Sequence, residues 1–575
     1  MKSSPVAPAE TVRVAAAQFF SGADVAANLD LVVGYMTKAK AEGAHLLVTP
    51  ENSNRVRDFT SREAAFDACE AIDGPFVTGI QAAARELGIM AAVGVDLRAD
   101  TAPDVYITQI LIDSTGDILH VHHKTVFWDY EYTLFTPGSK AIEVVDTRIG
   151  RIGMLLCADG IVPEVPRLLA LQGAQILTNS LNSRGPDEMR VHEPLRAIEN
   201  HVWHIAANTV GGPANGYPWT GGSQIISPTG QILANAGETD EGMVVADITP
   251  ATSHPKVLAG IGDLDSFRRP DLYGELLDDI HGLRVAEMYG PVPPGTPAKP
   301  LPVATLQTSW YHATSWTLTR AVAQVEYAAK RGTALGVFPE LFIHRPGEIE
   351  ADPGAAAELS AQALDLLTAA AGEHGVWIVV NLVERDRDRY FSTAYLLSDS
   401  GDIHSTYRKA HLNESERLWA TAGDDLVVAD TPIGRIGLMI GDEIWLPEVA
   451  RILTLRGAEV IAHPANWDRL EAATQAATER TEENRTHLIS CARTDNPAGF
   501  GSQIVIADRF LPGQPVALMR YPTAVSSRTG FEENIFLELD LMDSHSKVQG
   551  FHLDPVATRQ PHLYDALVLN GASTS

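Results

Sequence analysis

The sequence predicts an α/β protein made of two tandem copies of one layered unit, each a sandwich of sheets with helices outside. Three observations predict it: a long-range repeat, an alternation of short β-type runs with longer amphipathic ones, and strand-like segments that are apolar on both faces.

The repeat comes first because it sets the number of domains. At 575 residues the chain exceeds what one hydrophobic core fills, roughly 250–300 residues. The segment DTRIGRIGMLLCADGIVPE, from Asp146 to Glu164, reads onto DTPIGRIGLMIGDEIWLPE, from Asp430 to Glu448, at an offset of 284. TPEN around Glu51 answers FPEL around Glu340 at 289, and HHK ending at Lys124 answers YRK ending at Lys409 at 285. RAIEN from Arg196 answers RTEEN from Arg480 at 284. Matches kept in order at a nearly constant offset mean one unit written twice. Between the copies PVPPGTPAKPLP, residues 291–302, carries enough proline to favour an extended connector. The first domain is set at residues 1–290 and the second at residues 303–575. The polar, weakly periodic stretch from Ser253 to Tyr289 reads as an arm leaving the first unit, free to pack across the second.

Inside the first copy VRVAAAQFF reads as a strand, ANLDLVVGYMTKAKAEG as a helix, AHLLVTPE as a strand and EAAFDACEAI as a helix. IGRIGMLLCADG is apolar at successive positions, as a strand covered on both sides must be.

Apolar residues at 45% and charged residues at 20% describe an ordinary folded chain. A net charge of -29 would repel a phosphate backbone or an anionic bilayer, so neither nucleic acid nor a membrane is expected as partner. Three scattered cysteines, Cys69, Cys157 and Cys491, make neither a disulfide framework nor a Cys-rich zinc site. With no apolar run in MKSSPVAPAETVRV to serve as an export signal, a cytoplasmic setting is expected.

Cys157 ends the buried-type strand GRIGMLL and precedes ADGIVPE, which reads as a helix start. Such an elbow lifts a side chain out of the core, and the following N–H groups can stabilise a thiolate or an oxyanion. Taken alone, a cysteine in an apolar run is more often a small core residue. Glu51 ends the strand LLVTP and Lys124 follows ILHVHH. A carboxylate can take a thiol proton and an ammonium can hold the charge developing on an attacked carbonyl, although charges at strand ends are often only solvated. His122, His123, His192, His201 and His204 lack any zinc-binding spacing, so no metal and no cofactor is expected. Arg196, Glu199 and Asn200 share a helical face by their spacing and read as structural.

The ordered set of Glu51 in TPEN, Lys124 in HHK, Cys157 in GMLLCADGIVPE and then RAIEN resembles the nitrilase superfamily of carbon-nitrogen hydrolases. Pro163 and Glu164, and Phe135, Pro137 and Gly138 of LFTPG, stand where that family has them. The resemblance covers essentially the whole chain, twice over. It implies an α-β-β-α sandwich with Glu51 as general base, Cys157 as nucleophile and Lys124 as the cation that steadies the tetrahedral intermediate. It also implies that Glu131 orients the lysine and the substrate nitrogen, unless it is a loop carboxylate facing water. Members of the family commonly pair two sandwiches, so the tandem chain is expected to form an intramolecular pseudo-dimer, with further homo-oligomers left open.

In the second copy Glu340, Lys409 and Glu416 answer Glu51, Lys124 and Glu131, but Gly441 stands at the nucleophile position. That copy is expected to be inert. Ala158 and Asp159 follow Cys157 where true nitrilases carry Trp and Glu, and CADG resembles the amidase and carbamoylase branches. Amide or N-carbamoyl hydrolysis of a small molecule is therefore the expected reaction. Nitrile hydrolysis, acyl transfer to an amine acceptor and a non-catalytic binding role are the alternatives. Asn182, 25 residues past Cys157 as Asn466 is past Gly441, is a candidate pocket wall. Trp128, with Tyr130 and Trp219, is a candidate apolar lining.

Overall fold

The computed structural model describes residues 11–128, 130–185, 188–212, 219–289, 296–508, 523–549 and 553–569. Contacts group them into two compact units, residues 11–258 with 549 and 553–569 in the first and residues 259–508 with 523–548 in the second.

In the first unit one six-stranded sheet runs in the order Gly242–Ile248, Val12–Gln18, Leu46–Val48, Met90–Arg98, Val105–Ile112, Ile118–His123. The other runs Ile232–Asn235, Gln224–Ile226, Trp203–Asn208, Ile176–Leu181, Gly150–Leu156, Val145–Thr147. The central strands of each are parallel and the outer ones antiparallel. Alternation along Val12–Gln18 explains why Val14 to Ala17 are all apolar. Val14 and Ala16 pack between the sheets with Met154 and Ile205, while Ala15 and Ala17 face the layer of Met36 and Ile80. Those two belong to helices Val25–Ala41 and Pro75–Leu87. Helices Glu164–Leu171 and Glu193–Asn200 contact the second sheet, which completes the α-β-β-α layering.

Local signals set the helix ends. Asp24 accepts from the N–H groups of Ala26 and Ala27 at 2.9 and 3.2 Å. Asp24→Ala is expected to lower stability by about 1 kcal/mol, read as a shifted urea midpoint at unchanged slope. The helix expected over EAAFDACEAI stops at Ala68. Glu70 leaves it to bridge Leu97, and its carboxylate accepts from Phe76 and Val77 N–H at the start of the next helix.

The second unit repeats both strand orders: Ile403–Arg408, Arg389–Leu397, Trp377–Asp386, Leu335–Val337, Pro300–Thr305, Phe536–Asp540, and Val427–Thr431, Gly434–Leu438, Val460–Ala465, His487–Ala492, Gln503–Ile506, Thr523–Ser526. The connector expected over residues 291–302 is shorter than its proline content suggests, because Pro300 opens a strand; residues 291–295 lie outside the described residues. Lys299 C=O accepts from Leu541 N–H, and Pro302 C=O accepts from Ala334 N–H. Pro300 and Pro302 thus turn their missing N–H groups toward Leu335–Val337, which joins the ladder only at Val303.

Residues 259–289, the arm of the first copy, belong to the second unit, and residues 553–569, the end of the second copy, belong to the first. The division at the connector is therefore not the division of the contacts. The two arms repeat each other, RRPDLY from Arg268 and RQPHLY from Arg559. In both, a backbone N–H, of Arg269 or Gln560, donates to the tyrosine hydroxyl four residues on, at 3.2 and 3.1 Å. Arg268 pairs with Glu448 at 2.9 Å, and Arg559 with the equivalent Glu164 at 3.3 Å. Among the described residues no helix is long and apolar enough to cross a membrane.

Candidate active site

Cys157 sits at the first position of the 3-10 turn that follows strand Gly150–Leu156, with φ +47°. This left-handed backbone is costly for a residue with a Cβ and makes the sharp elbow that the strand-to-helix spacing predicts. Two side chains brace it. Asn179 Oδ1 accepts from Cys157 N–H at 2.8 Å and Asn179 Nδ2 donates to Glu193 at 3.0 Å. Asp159 accepts from Leu156 N–H, Thr125 N–H and Oγ1, and Val126 N–H, and pairs with His122 Nε2 at 2.9 Å. One buried carboxylate thereby ties the elbow to the residues just after Lys124. Arg196 adds bonds to the carbonyls of Gly160 and Ile161 and to Glu199, the structural part expected of RAIEN.

Lys124, fully enclosed, donates to Glu51 Oε1 at 3.0 Å and to Glu131 Oε1 and Oε2 at 3.0 and 2.9 Å. Glu131 is buried rather than facing water. Arg57, which the sequence reading did not single out, completes the cluster. It reaches Glu51 at 3.3 Å and Glu131 at 2.9 Å, and clasps Asp96 through two bonds of 2.8 and 2.9 Å. Three carboxylates and two cations are thus buried together, which is tolerable because each charge is paired and hydrogen-bonded.

These neighbours push the two glutamates apart. Burial works against the Glu51 charge, but Arg57 and Lys124 outweigh it and hold the carboxyl below its ordinary range. Glu131 is raised by burial and by Glu51, against Lys124 and Arg57. Burial and then the carboxylates Glu51 and Glu188 push the Cys157 thiol up, against the pull of Lys124. Glu188, also not anticipated, is pushed to about 7 by burial. It opens the short helical turn Glu188–His192, for which the sequence carries no periodic signal.

Of the candidate lining residues, Trp128 donates its backbone N–H to Glu131 Oε2 at 2.8 Å, and its ring packs on Val126, Ala158, Ile161, Val162 and Leu553. Asn182 is half-buried; its Oδ1 accepts no hydrogen bond from a described residue. Tyr130 is exposed, and Trp219 lies against Phe20 and under the Arg184 guanidinium. All three cysteines are free and buried, and burial raises each thiol. Cys157 differs from the others in its neighbours: Lys124 draws its thiol down and Glu51 stands near as a base, whereas Cys69 feels Asp96, Arg55 and Arg57. Brief iodoacetamide treatment is expected to alkylate Cys157 before Cys69 and Cys491, and Lys124→Met, which removes the cation that draws the thiol down, is expected to remove that lead.

The second copy keeps the frame and changes the chemistry. Gly441 repeats the elbow at φ +52°, and Lys409 Nζ donates to Glu416 at 2.6 Å and Glu340 at 3.3 Å. By strand register Val383 stands where Asp96 stands, and counting on from the paired strands puts Pro346, just before helix Glu348–Ala351, at the chain position of Arg57. Without that guanidinium burial dominates, Glu416 and Asp442 add repulsion, and Glu340 rises to about 8 despite Lys409.

A carbon-nitrogen hydrolase family profile matches residues 13–255 and 302–495. A nitrilase of Pyrococcus abyssi is 30% identical over 237 residues, spanning 41% of this chain and 88% of the relative. An N-carbamoylputrescine amidase of Arabidopsis thaliana is 29% identical over 299 residues, spanning 46% and 95%. Among solved structures, an amidase from Nesterenkonia sp. shares 26% identity over 44% of this chain and 97% of that one, with a TM-score of 0.38. Matched by the family profile over more than half its length, once in each copy, the chain belongs to the carbon-nitrogen hydrolase family.

Proposed function

We propose that the first copy hydrolyses a non-peptide C–N bond, in an amide or N-carbamoyl group of a small molecule, through a thioester on Cys157. The observation that carries this is the Glu51–Lys124–Glu131 cluster around an elbow cysteine. The resting thiol is held neutral by burial, so Glu51, ionised, takes its proton as Sγ attacks the carbonyl carbon. The Cys157 amide is committed to Asn179, which leaves Lys124 and the next amide, Ala158, to face the oxyanion. Collapse breaks the C–N bond, and the leaving nitrogen takes the proton from Glu51. Water then gives a proton to Glu51 and attacks the thioester; Sγ leaves and is reprotonated, releasing the acid.

Ala158 and Asp159 after the nucleophile support amide-type substrates over nitriles. Gly441 supports a second copy without covalent chemistry of its own. A free catalytic thiol supports a reducing, cytoplasmic setting. The test is ammonia or amine release from a panel of amides, N-carbamoyl amines and nitriles, with hydroxylamine added in parallel. Release from amides or carbamoyl compounds, with an acyl adduct on the Cys157 peptide in quenched samples, is the expected result. Turnover of nitriles alone would overturn the amide assignment. Hydroxylamine should intercept the thioester and give hydroxamate beside acid; acid that fails to form unless an amine acceptor is added would reassign the reaction to acyl transfer.

A further inference from the structure

The second unit holds a cavity of about 370 Å³ at the position equivalent to the Cys157 site, lined by Glu340, Glu416, Asp442, Asn466 and Asp468 among others. We propose that this cavity binds a small organic cation, a primary aliphatic ammonium, and performs no hydrolysis. The inference stands on the second copy and does not depend on which bond the first copy cleaves.

Glu340 carries it. The residue is only 8% exposed, its Oε1 meets Lys409 at 3.3 Å, and its Oε2 receives no hydrogen bond from a described residue. An ideal Cβ on Gly441 would sit 2.5 Å from Oε2 and closer still to Oε1. The carboxylate therefore fills the space that the stem of a nucleophile would take, and it can stand there only because residue 441 is glycine. The loss of the nucleophile and the position of the glutamate are one change, which has turned a base beside a thiol into an acceptor facing a cavity.

The rest of the lining asks for the same partner. Asn466 Oδ1 is a buried acceptor with no hydrogen bond from a described residue; Asp468 Oδ2 has the Arg469 guanidinium at 3.4 Å, and Asp442, which accepts from Asn413, brings a further carboxylate. The lining arginines are committed elsewhere. Arg493 is bound to Asp495 at 2.8 Å and to the carbonyls of Leu341 and His344, and Arg345 stacks over Trp310. A ligand that matches supplies several N–H donors and positive charge from one end. Among the described residues no group of three His, Cys, Asp or Glu side chains could hold a metal ion, which favours an ammonium over a divalent cation. Ile349 and Trp419 add apolar lining for a short alkyl chain. The volume suits a ligand of this size.

Calorimetric titration of the full-length protein with n-butylamine hydrochloride tests the proposal at about pH 9, where the amine is still an ammonium and Glu340, raised to about 8 by burial, is ionised, with sodium butyrate and n-butanol as controls. One-site binding of the amine alone is expected, unchanged in Cys157→Ala. Glu340→Gln, which keeps the shape, is expected to weaken it at least about tenfold. Gly441→Ala changes no charge and displaces the carboxylate, so it should weaken binding likewise; melting curves establish that both variants are folded. Binding that survives Glu340→Gln, or no heat up to about 10 mM amine, would overturn the proposal. So would binding lost in Glu188→Gln but kept in Glu340→Gln, which would place the amine in the first copy.

Discussion

Replacing Cys157 with alanine is expected to reduce ammonia or amine release from the best substrate by about 10⁴- to 10⁶-fold, the loss seen when a covalent nucleophile is removed from an intact site. The fold should be unaffected, because alanine tolerates the elbow at φ +47° as well as cysteine does and the Asn179 and Asp159 braces hold backbone rather than sulfur. The informative companion is the double variant Cys157→Ala with Gly441→Cys, which should remain silent. A side chain at 441 collides with the Glu340 carboxylate, and that carboxyl, at about 8, is mostly protonated at neutral pH and a poor base. Turnover above about 1% of wild type in the single variant would mean that Cys157 is not the nucleophile. Turnover regained in the double variant would mean that the second copy is dormant rather than rebuilt.

The candidate site was legible where it follows chain order and illegible where it depends on pairing in space. Glu51, Lys124 and Cys157 stand at or just past strand ends, so type and order pointed to them; Glu131, which opens the short helix Glu131–Leu134, came from the family resemblance. Arg57 and Asp96 lie 39 residues apart on a loop and in a strand, and nothing local couples them. The two copies do couple them, since both change together, to Pro346 and Val383; reading the copies for joint losses as well as matches would have found the pair. The arms show the same division. Their repeated R-x-P-x-L-Y motif was present in the sequence, but a short run of 3-10 turns carries no periodicity that says which unit it completes. Pro300 and Pro302 were read as a connector because proline normally ends a ladder, and they are admitted here only by the late start of the neighbouring strand.

The comparison of copies also fixes what Arg57 should do. Arg57→Met is expected to lower kcat/KM at neutral pH by about 10²- to 10³-fold, a loss of about 3–4 kcal/mol of transition-state stabilisation, although Arg57 is a positioning residue that acts through Glu51. With the guanidinium present Glu51 is depressed and ionised through the neutral range. Without it Glu51 should move toward the state of Glu340, raised to about 8. The acid limb of the pH–rate profile should therefore shift upward, and raising the pH should recover activity. Stability must follow with the corresponding sign. In wild type the contribution of the depressed Glu51 is complete above the ordinary carboxylate value and is lost as pH falls through the folded value. In the variant a raised Glu51 makes the folded state bind the extra proton, so stability drains away as pH rises from about 4 to 8. The gap between the two proteins should widen across that window, reaching about 3–5 kcal/mol once a buried carboxylate has lost its partner. Urea unfolding at the two ends of the window and a kcat/KM profile across it measure both effects. An acid limb that stays where wild type has it, in a variant that is otherwise less stable, would show that Arg57 serves the fold through Asp96 and leaves the base to Lys124 alone.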